Sequence, residues 1–95
     1  MKTLKKEKLE KYQKLTTNAL EIAEQSINKE KQSEAKIILE MVSCYLADSK
    51  HFQSKNDFVN SFACVNYAHG WLDCGARLGI FSVKDRKLFV VNENS

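Results

Sequence analysis

The 95 residues contain no proline, and the three glycines, Gly70, Gly75 and Gly79, all fall near the C-terminal end. Proline removes a backbone donor and clashes with the preceding helical turn, so a chain without it has few places where a helix must stop. Apolar residues recur at intervals of three and four, the period at which an α-helix buries one face. These features predict an all-α fold: an up-down-up three-helix bundle over residues 1–81, followed by a short C-terminal tail over residues 82–95, part packed and part disordered.

The first helix is expected from about Thr3 to Ile27, with Leu9, Tyr12, Leu15, Ala19, Ile22, Ala23 and Ile27 along its apolar stripe. Residues 28–34 are polar throughout and read as a turn, with Ser33 capping the second helix; the same residues would also suit one continuous long helix. The second helix spans about Glu34 to Ser54. Ile38, Met41, Val42, Tyr45, Ser49 and Phe52 line one face, and Ile37, Cys44 and Leu46 widen it. Then comes "SKND", residues 54–57. Asn56 can take the left-handed conformation that ends a helix, and Asp57 can cap the next. A link this short makes the flanking helices antiparallel neighbours. Residues whose numbers sum to about 112 then face each other, which sets Asp48 opposite Cys64. The third helix runs from Phe58 to Leu78, with Gly79 as its C-terminal cap and Ile80 or Phe81 folding back. The apolar cluster Leu88–Val91 reads as a packed tail or short strand, and the last four residues as disordered.

A chain of this size buries about 60–65% of its unfolded surface, so its core must be efficient or shared with a partner. Its hydrophobic content of 43% and charged content of 28% suit a globular protein. The net charge of +3 is unevenly placed. Residues 1–14 carry six lysines against two glutamates, while the other 81 residues carry nine basic and ten acidic groups. Lys5, Lys6, Lys8, Lys11 and Lys14 are thus candidate phosphate contacts. No aromatic residue interleaves with them before Tyr12, so a base-stacking surface is not evident there. Cys44, Cys64 and Cys74 show no CxxC spacing and do not form a zinc pattern with His51 and His69. They read as reduced thiols acting as small buried hydrophobes in a cytoplasmic protein. The lysine-rich start has no apolar run behind it, and no stretch is long enough to span a bilayer. No membrane contact, cofactor or metal is expected.

The stretch "NYAHGWLDCGARLG", residues 66–79, concentrates unusual residues. At 100° per residue, Tyr67, Trp71, Cys74 and Leu78 fall together, beside Cys64 and Gly75 and extended by Val65, Ala68 and Leu72. This is the expected buried face. Asn66, Gly70, Asp73 and Arg77 form a separate polar stripe flanked by His69. Asp73 and Arg77 are spaced to pair on the surface, a contact worth only about 0.3–0.5 kcal/mol. A glycine inside a helix costs about 1 kcal/mol against alanine, so Gly70 asks for a reason such as close approach of a backbone, a partner subunit or a ligand. Gly75, on the edge of the buried face, would let another helix come near. All polar groups of the stripe come from one helix, and no nucleophile sits beside a base, so no catalytic residue is assigned and an enzyme is not expected.

The segment "YLADSKHFQSKNDFVNSFACVNYAHGWLDCGARLGIF", residues 45–81, resembles the archaeal family catalogued as domain of unknown function 357. The family pattern is Tyr-Leu-x-Asp, a Gly-Asp or Asn-Asp turn, and then Gly-Trp-Leu-Asp-Ala-Gly-x-Arg-Leu-Gly. Asn56 stands here where Gly is usual, and Cys74 where Ala is usual. The resemblance implies a three-helix bundle of archaeal, cytoplasmic origin, marks Asp48, Asp73 and Arg77 as pattern positions, and carries no established activity. Helical nucleotide-handling domains of the HEPN type offer a second comparison. Their ribonuclease motif places an Arg shortly before a His, and no Arg precedes His51 or His69 here.

Three functions are compatible with these features. The leading one is a non-enzymatic protein-interaction or self-association module, a homodimer included, working through exposed parts of the third helix at Asn66, His69, Gly70, Asp73 and Arg77. The second is a nucleic-acid-associated protein using the N-terminal lysines. The third is a small-ligand site on the His69, Asp73 and Arg77 stripe.

Overall fold

The computed structural model describes residues 2–84, 88 and 89. Three long helices run up, down and up: α1 (Lys2–Glu24), α2 (Gln32–Ser54) and α3 (Phe58–Arg77). The α2–α3 hairpin forms the most extensive helix contact. α1 lies against both members, more closely on α3.

Two helix ends are built alike. Asn56 has φ 59° and Gly79 has φ 76°, both left-handed. After α2, Asp57 N–H donates to Phe52 O and Asn56 N–H to Gln53 O, each at 2.9 Å. After α3, Ile80 N–H donates to Gly75 O at 2.8 Å and Gly79 N–H to Ala76 O at 3.2 Å. Each is the paired bond pattern that satisfies the last carbonyls of a helix when the next residue turns left-handed. Asparagine can do this at modest cost because it tolerates that conformation better than most side chains. Asp57 then accepts from Asn60 N–H at 3.1 Å, capping α3 as expected.

The break between α1 and α2 falls earlier than the sequence suggests. α1 ends at Glu24, and Ile27 pairs in an antiparallel bridge with Phe81 instead of continuing the helix. Asn28 N–H donates to Ile80 O at 2.9 Å, and Ser82 N–H to Ser26 O at 2.7 Å. Ser33 is not the cap. A 3-10 turn over Lys29–Lys31 leads into α2, and the Asn28 side chain accepts from Glu30 N–H while donating to Gly79 O. A long-range pairing therefore stops α1, and residues 28–34 carry no sign of it.

The core holds Leu9, Ala19, Ala23, Ala35, Ile38, Val42, Leu46, Val65, Ala68, Leu72, Ala76, Ile80 and Phe81. The register set by the tight turn is the expected one. Tyr45 lies against Tyr67 with ring centroids 5.6 Å apart, and Asp48 acts electrostatically on Cys64.

The buried face of α3 keeps Val65, Ala68, Leu72 and Gly75 of the predicted face, adds Ser61 and Ala76, and loses the large residues at its predicted centre. The line Tyr67, Cys74, Leu78 lies about a third of a turn away. Tyr67 is 63% exposed, Leu78 is 62% exposed, Cys74 is exposed and Trp71 is half-buried. The reason is the size of the buried residues: serine and alanine let α3 approach α2 closely, Gly75 makes room for Phe81, and the bulky side chains are displaced to the rim. Ile37 at 59% exposure and Cys44 likewise face out from α2, and Tyr12 and Ile22 lie at the edge of the α1 stripe. The cysteines are free, but none is buried: Cys44 and Cys74 are exposed and Cys64 is intermediate.

The tail continues the core. Val83 and Phe89 are buried, and Leu88 packs beside them. The expectations for Val90, Val91 and the last four residues lie outside the described residues. Among the described residues no helix is long and apolar enough to cross a membrane.

Candidate functional site

The polar stripe of α3 divides into two environments. His69 and Asp73 turn toward α1, whereas Asn66, Gly70 and Arg77 are exposed. A cleft of about 390 Å³ opens between α1 and α3, lined by Tyr12, Leu15, Thr16, His69, Asp73 and Leu88, with Asn66 and Gly70 at its lip.

His69 holds the floor of this cleft. Its Nε2 lies 2.6 Å from the Leu88 carbonyl, and its Nδ1 lies 3.0 Å from Thr16 Oγ1. A carbonyl can only accept, so Nε2 carries a proton. In the neutral ring Nδ1 then accepts from the Thr16 hydroxyl, which is 2% exposed. The carboxylate of Asp73 sits 3.8 Å from Nε2, so its partner within the stripe is His69, one turn before it, where spacing alone suggests Arg77. Both ring nitrogens are engaged. The imidazole is committed to joining α1, α3 and the tail, not presented to a ligand. Sequence reasoning missed Thr16 because a threonine on a lysine-rich helix reads as surface; its only signal is its position one residue from the apolar stripe.

A second polar cluster joins all three helices in the interior. Ser49 and Ser61 are fully buried, and Gln13 is nearly so. Ser61 Oγ donates to Ser49 O at 2.6 Å, and Ser49 Oγ donates to Ser61 O at 2.8 Å. Gln13 Nε2 donates to Ser49 Oγ at 3.1 Å. Each serine bonds the other's backbone, which fixes how α2 and α3 are rotated against each other. No buried side-chain polar atom among the described residues lacks a partner, so this cluster explains itself as structure.

The open face of α3 is different in kind. Among the described residues nothing lies within 4 Å of where a Gly70 Cβ would be. Around it a shallow surface is lined by Asn66, Tyr67, Trp71 and Cys74. Leu78 extends this surface one turn further along the same line. Gly75, by contrast, is closed in by Phe81 and by Ile38 of α2. The missing side chain expected to admit a helix there admits chiefly a ring from the returning chain.

The lysines split as well. Lys5 and Lys8 border a cleft of about 600 Å³ with Tyr12, Phe58, Val59 and Phe62, and Lys6 borders another with Lys50. Lys11 and Lys14 are exposed and line neither. Burial pushes the Cys64 thiol above its ordinary value, and the carboxylates of Asp48 and Asp57 add to the shift. A thiol so placed is a poor nucleophile. Among the described residues no three His, Cys, Asp or Glu side chains gather as a metal site.

No curated protein and no solved structure matches the chain. One family model does, that of a protein of unknown function (DUF357), over residues 11–81. The matched span runs from the middle of α1, just after buried Leu9, through the α2–α3 hairpin to Phe81, the residue that closes over Gly75. The second half of α1, all of α2 and α3, the left-handed turn at Asn56 and the glycine cap at Gly79 thus lie within the span that defines a family, and the chain belongs to the DUF357 family of proteins of unknown function.

Proposed function

We propose that this protein is a non-enzymatic interaction module that associates with a second copy of itself through the open face of α3. One observation carries the reading. Tyr67 and Leu78 are large, apolar and more than 60% exposed, and they flank the uncovered Gly70 and Cys74 along a single helical line. Scattered exposed apolar residues need no explanation, but a line of them at helical spacing marks a contact surface. Half-buried Trp71 supports the line from below, and Tyr45 stacks beside Tyr67 from α2. Aromatic residues that are half-seated and half-exposed are the residues that anchor protein interfaces.

Gly70 fits this reading through its cost. It weakens α3 by about 1 kcal/mol against alanine, and no described residue comes within 4 Å of where its Cβ would stand. A partner backbone crossing at Gly70 offsets that cost by coming closer than any side chain would permit. The surface is self-complementary in kind, with small residues at its centre and apolar side chains at either end, as a two-fold contact requires. Sedimentation velocity over a range of protein concentration, with Leu78→Glu as the disrupted variant, tests the reading.

A further inference from the structure

We propose that the cleft between the start of α1 and the start of α3 binds single-stranded nucleic acid, with bases on its aromatic wall and phosphates on its lysines. The sequence separates these elements: Lys5, Lys6 and Lys8 precede every aromatic residue of the chain, and Phe58 and Phe62 lie about fifty residues away. The fold joins them. Lys5, Lys8, Tyr12, Phe58, Val59 and Phe62 line one cleft of about 600 Å³. Tyr12 and Phe62 meet edge to face with centroids 6.2 Å apart, and Lys8 Nζ stands 5.9 Å from the Tyr12 ring centroid. Val59 is 81% exposed, so the apolar floor is open to solvent.

Phe58 also borders an adjoining cleft, lined by Lys6, Lys50, Gln53, Ser54 and Asn56. The two clefts thus form a track around Phe58 that carries four lysines. Among the described residues no acidic side chain lines either cleft. The nearby carboxylate of Asp57 is taken up by Asn60, through its backbone N–H and its side-chain amide. The lysines of α1 also stand against the helix's own field. Its first turn has no acidic residue, and the positive end of the helix dipole lies there too. Cations placed where they destabilise their own helix, beside rings of other helices, suit an external polyanion. Alternating flat apolar groups and single charges are the chemistry of an unpaired nucleotide strand, which binds by stacking and backbone attraction without base-edge readout. A duplex hides its bases and cannot use the rings.

Fluorescence anisotropy with labelled twelve-residue oligo-dT and oligo-U tests this, the two strands distinguishing DNA from RNA. Binding is expected at 50 mM salt, and for four lysine contacts to single-stranded nucleic acid it should weaken about fifty-fold by 200 mM. Lys5→Gln with Lys8→Gln, both at exposed positions, should flatten that salt dependence. Tyr12→Leu, which keeps charge and apolar bulk, should weaken binding about fivefold or more while circular dichroism stays unchanged. A duplex of the same length and polyglutamate should both bind more weakly than the single strands. The proposal is overturned if neither strand binds at 50 mM salt, if polyglutamate competes equally, or if Tyr12→Leu binds like the parent.

Discussion

The ring of Phe81 fills the space that a Cβ on Gly75 would need: such an atom would stand 2.7 Å from Phe81 Cδ2 and 3.3 Å from Ile38 Cδ1. Phe81 is 1% exposed and its backbone is tied to Ile27, so the ring cannot swing away cheaply. Gly75→Ala should therefore cost about 1–3 kcal/mol in urea unfolding, the usual cost of overpacking. Gly70→Ala, with no described residue within 4 Å, should stabilise the monomer by up to about 1 kcal/mol. Opposite signs at two glycines five residues apart are a sharp test of the packing.

The serine clasp makes a second prediction. Ser49→Ala removes the donor to Ser61 O and the acceptor of Gln13 Nε2, all buried. It should cost about 1–3 kcal/mol, because Gln13 Nε2 stays buried with its acceptor removed and Ser61 O loses its second donor. Ser49→Ala combined with Ser61→Ala should cost less than the sum of the two singles, by about 0.5 kcal/mol or more, since the two hydroxyls form one network.

His69 should behave as a latch for the tail. His69→Ala loses the bonds to Thr16 and Leu88 together and should destabilise the fold by about 1–3 kcal/mol. The same change should speed backbone hydrogen exchange at Leu88 and Phe89 more than in the α2–α3 hairpin, because the bonds it removes reach the tail. Equal exchange in both places would mean that the tail holds without the imidazole.

Cys64 makes a prediction about pH. Its thiol is held above its ordinary value first by burial and then by Asp48 and Asp57. A raised value in the folded state favours the protonated form, so this contribution to stability is complete below the unfolded thiol's value, about 8.5. It is lost as pH rises through the folded value, because the unfolded chain releases its proton first. Cys64→Ala should therefore reduce the loss of stability between pH 8 and pH 10. At pH 8, iodoacetamide should modify exposed Cys44 and Cys74 before Cys64.

Much of the fold is legible in the residues because it is set by local chemistry. Asn56 and Asp57 define the α2–α3 turn, that turn defines the register, and Gly79 ends α3. What could not be read depends on contacts distant in sequence. Ile27 leaves its helix because Phe81 is there to pair with it. The face of α3 is misjudged when large apolar residues are taken to mark the interior. Here Ser61, Ala68 and Gly75 mark it, because the small residues permit the close approach that the Ser49–Ser61 clasp requires and leave room for Phe81. The candidate site was half visible. Gly70 stands out in sequence, but the apolar line beside it reads as core and is exposed at Tyr67 and Leu78, while only Asn66, Gly70 and Arg77 of the polar stripe are exposed. The cleft at Tyr12 was invisible, since its lysines and rings meet only through α1 and α3.

Sedimentation velocity of the wild type and of Leu78→Glu, Tyr67→Glu and Gly70→Ala tests most directly whether α3 presents an association surface. The wild type should pass from monomer toward dimer as concentration rises. The two glutamate variants, changed at exposed positions, should keep the wild-type circular dichroism and remain monomers. Gly70→Ala should be more stable as a monomer yet associate more weakly, since its methyl group blocks the close crossing. A wild type that stays monomeric at every concentration, or one that dimerises equally well with Leu78→Glu and Tyr67→Glu, would contradict the account.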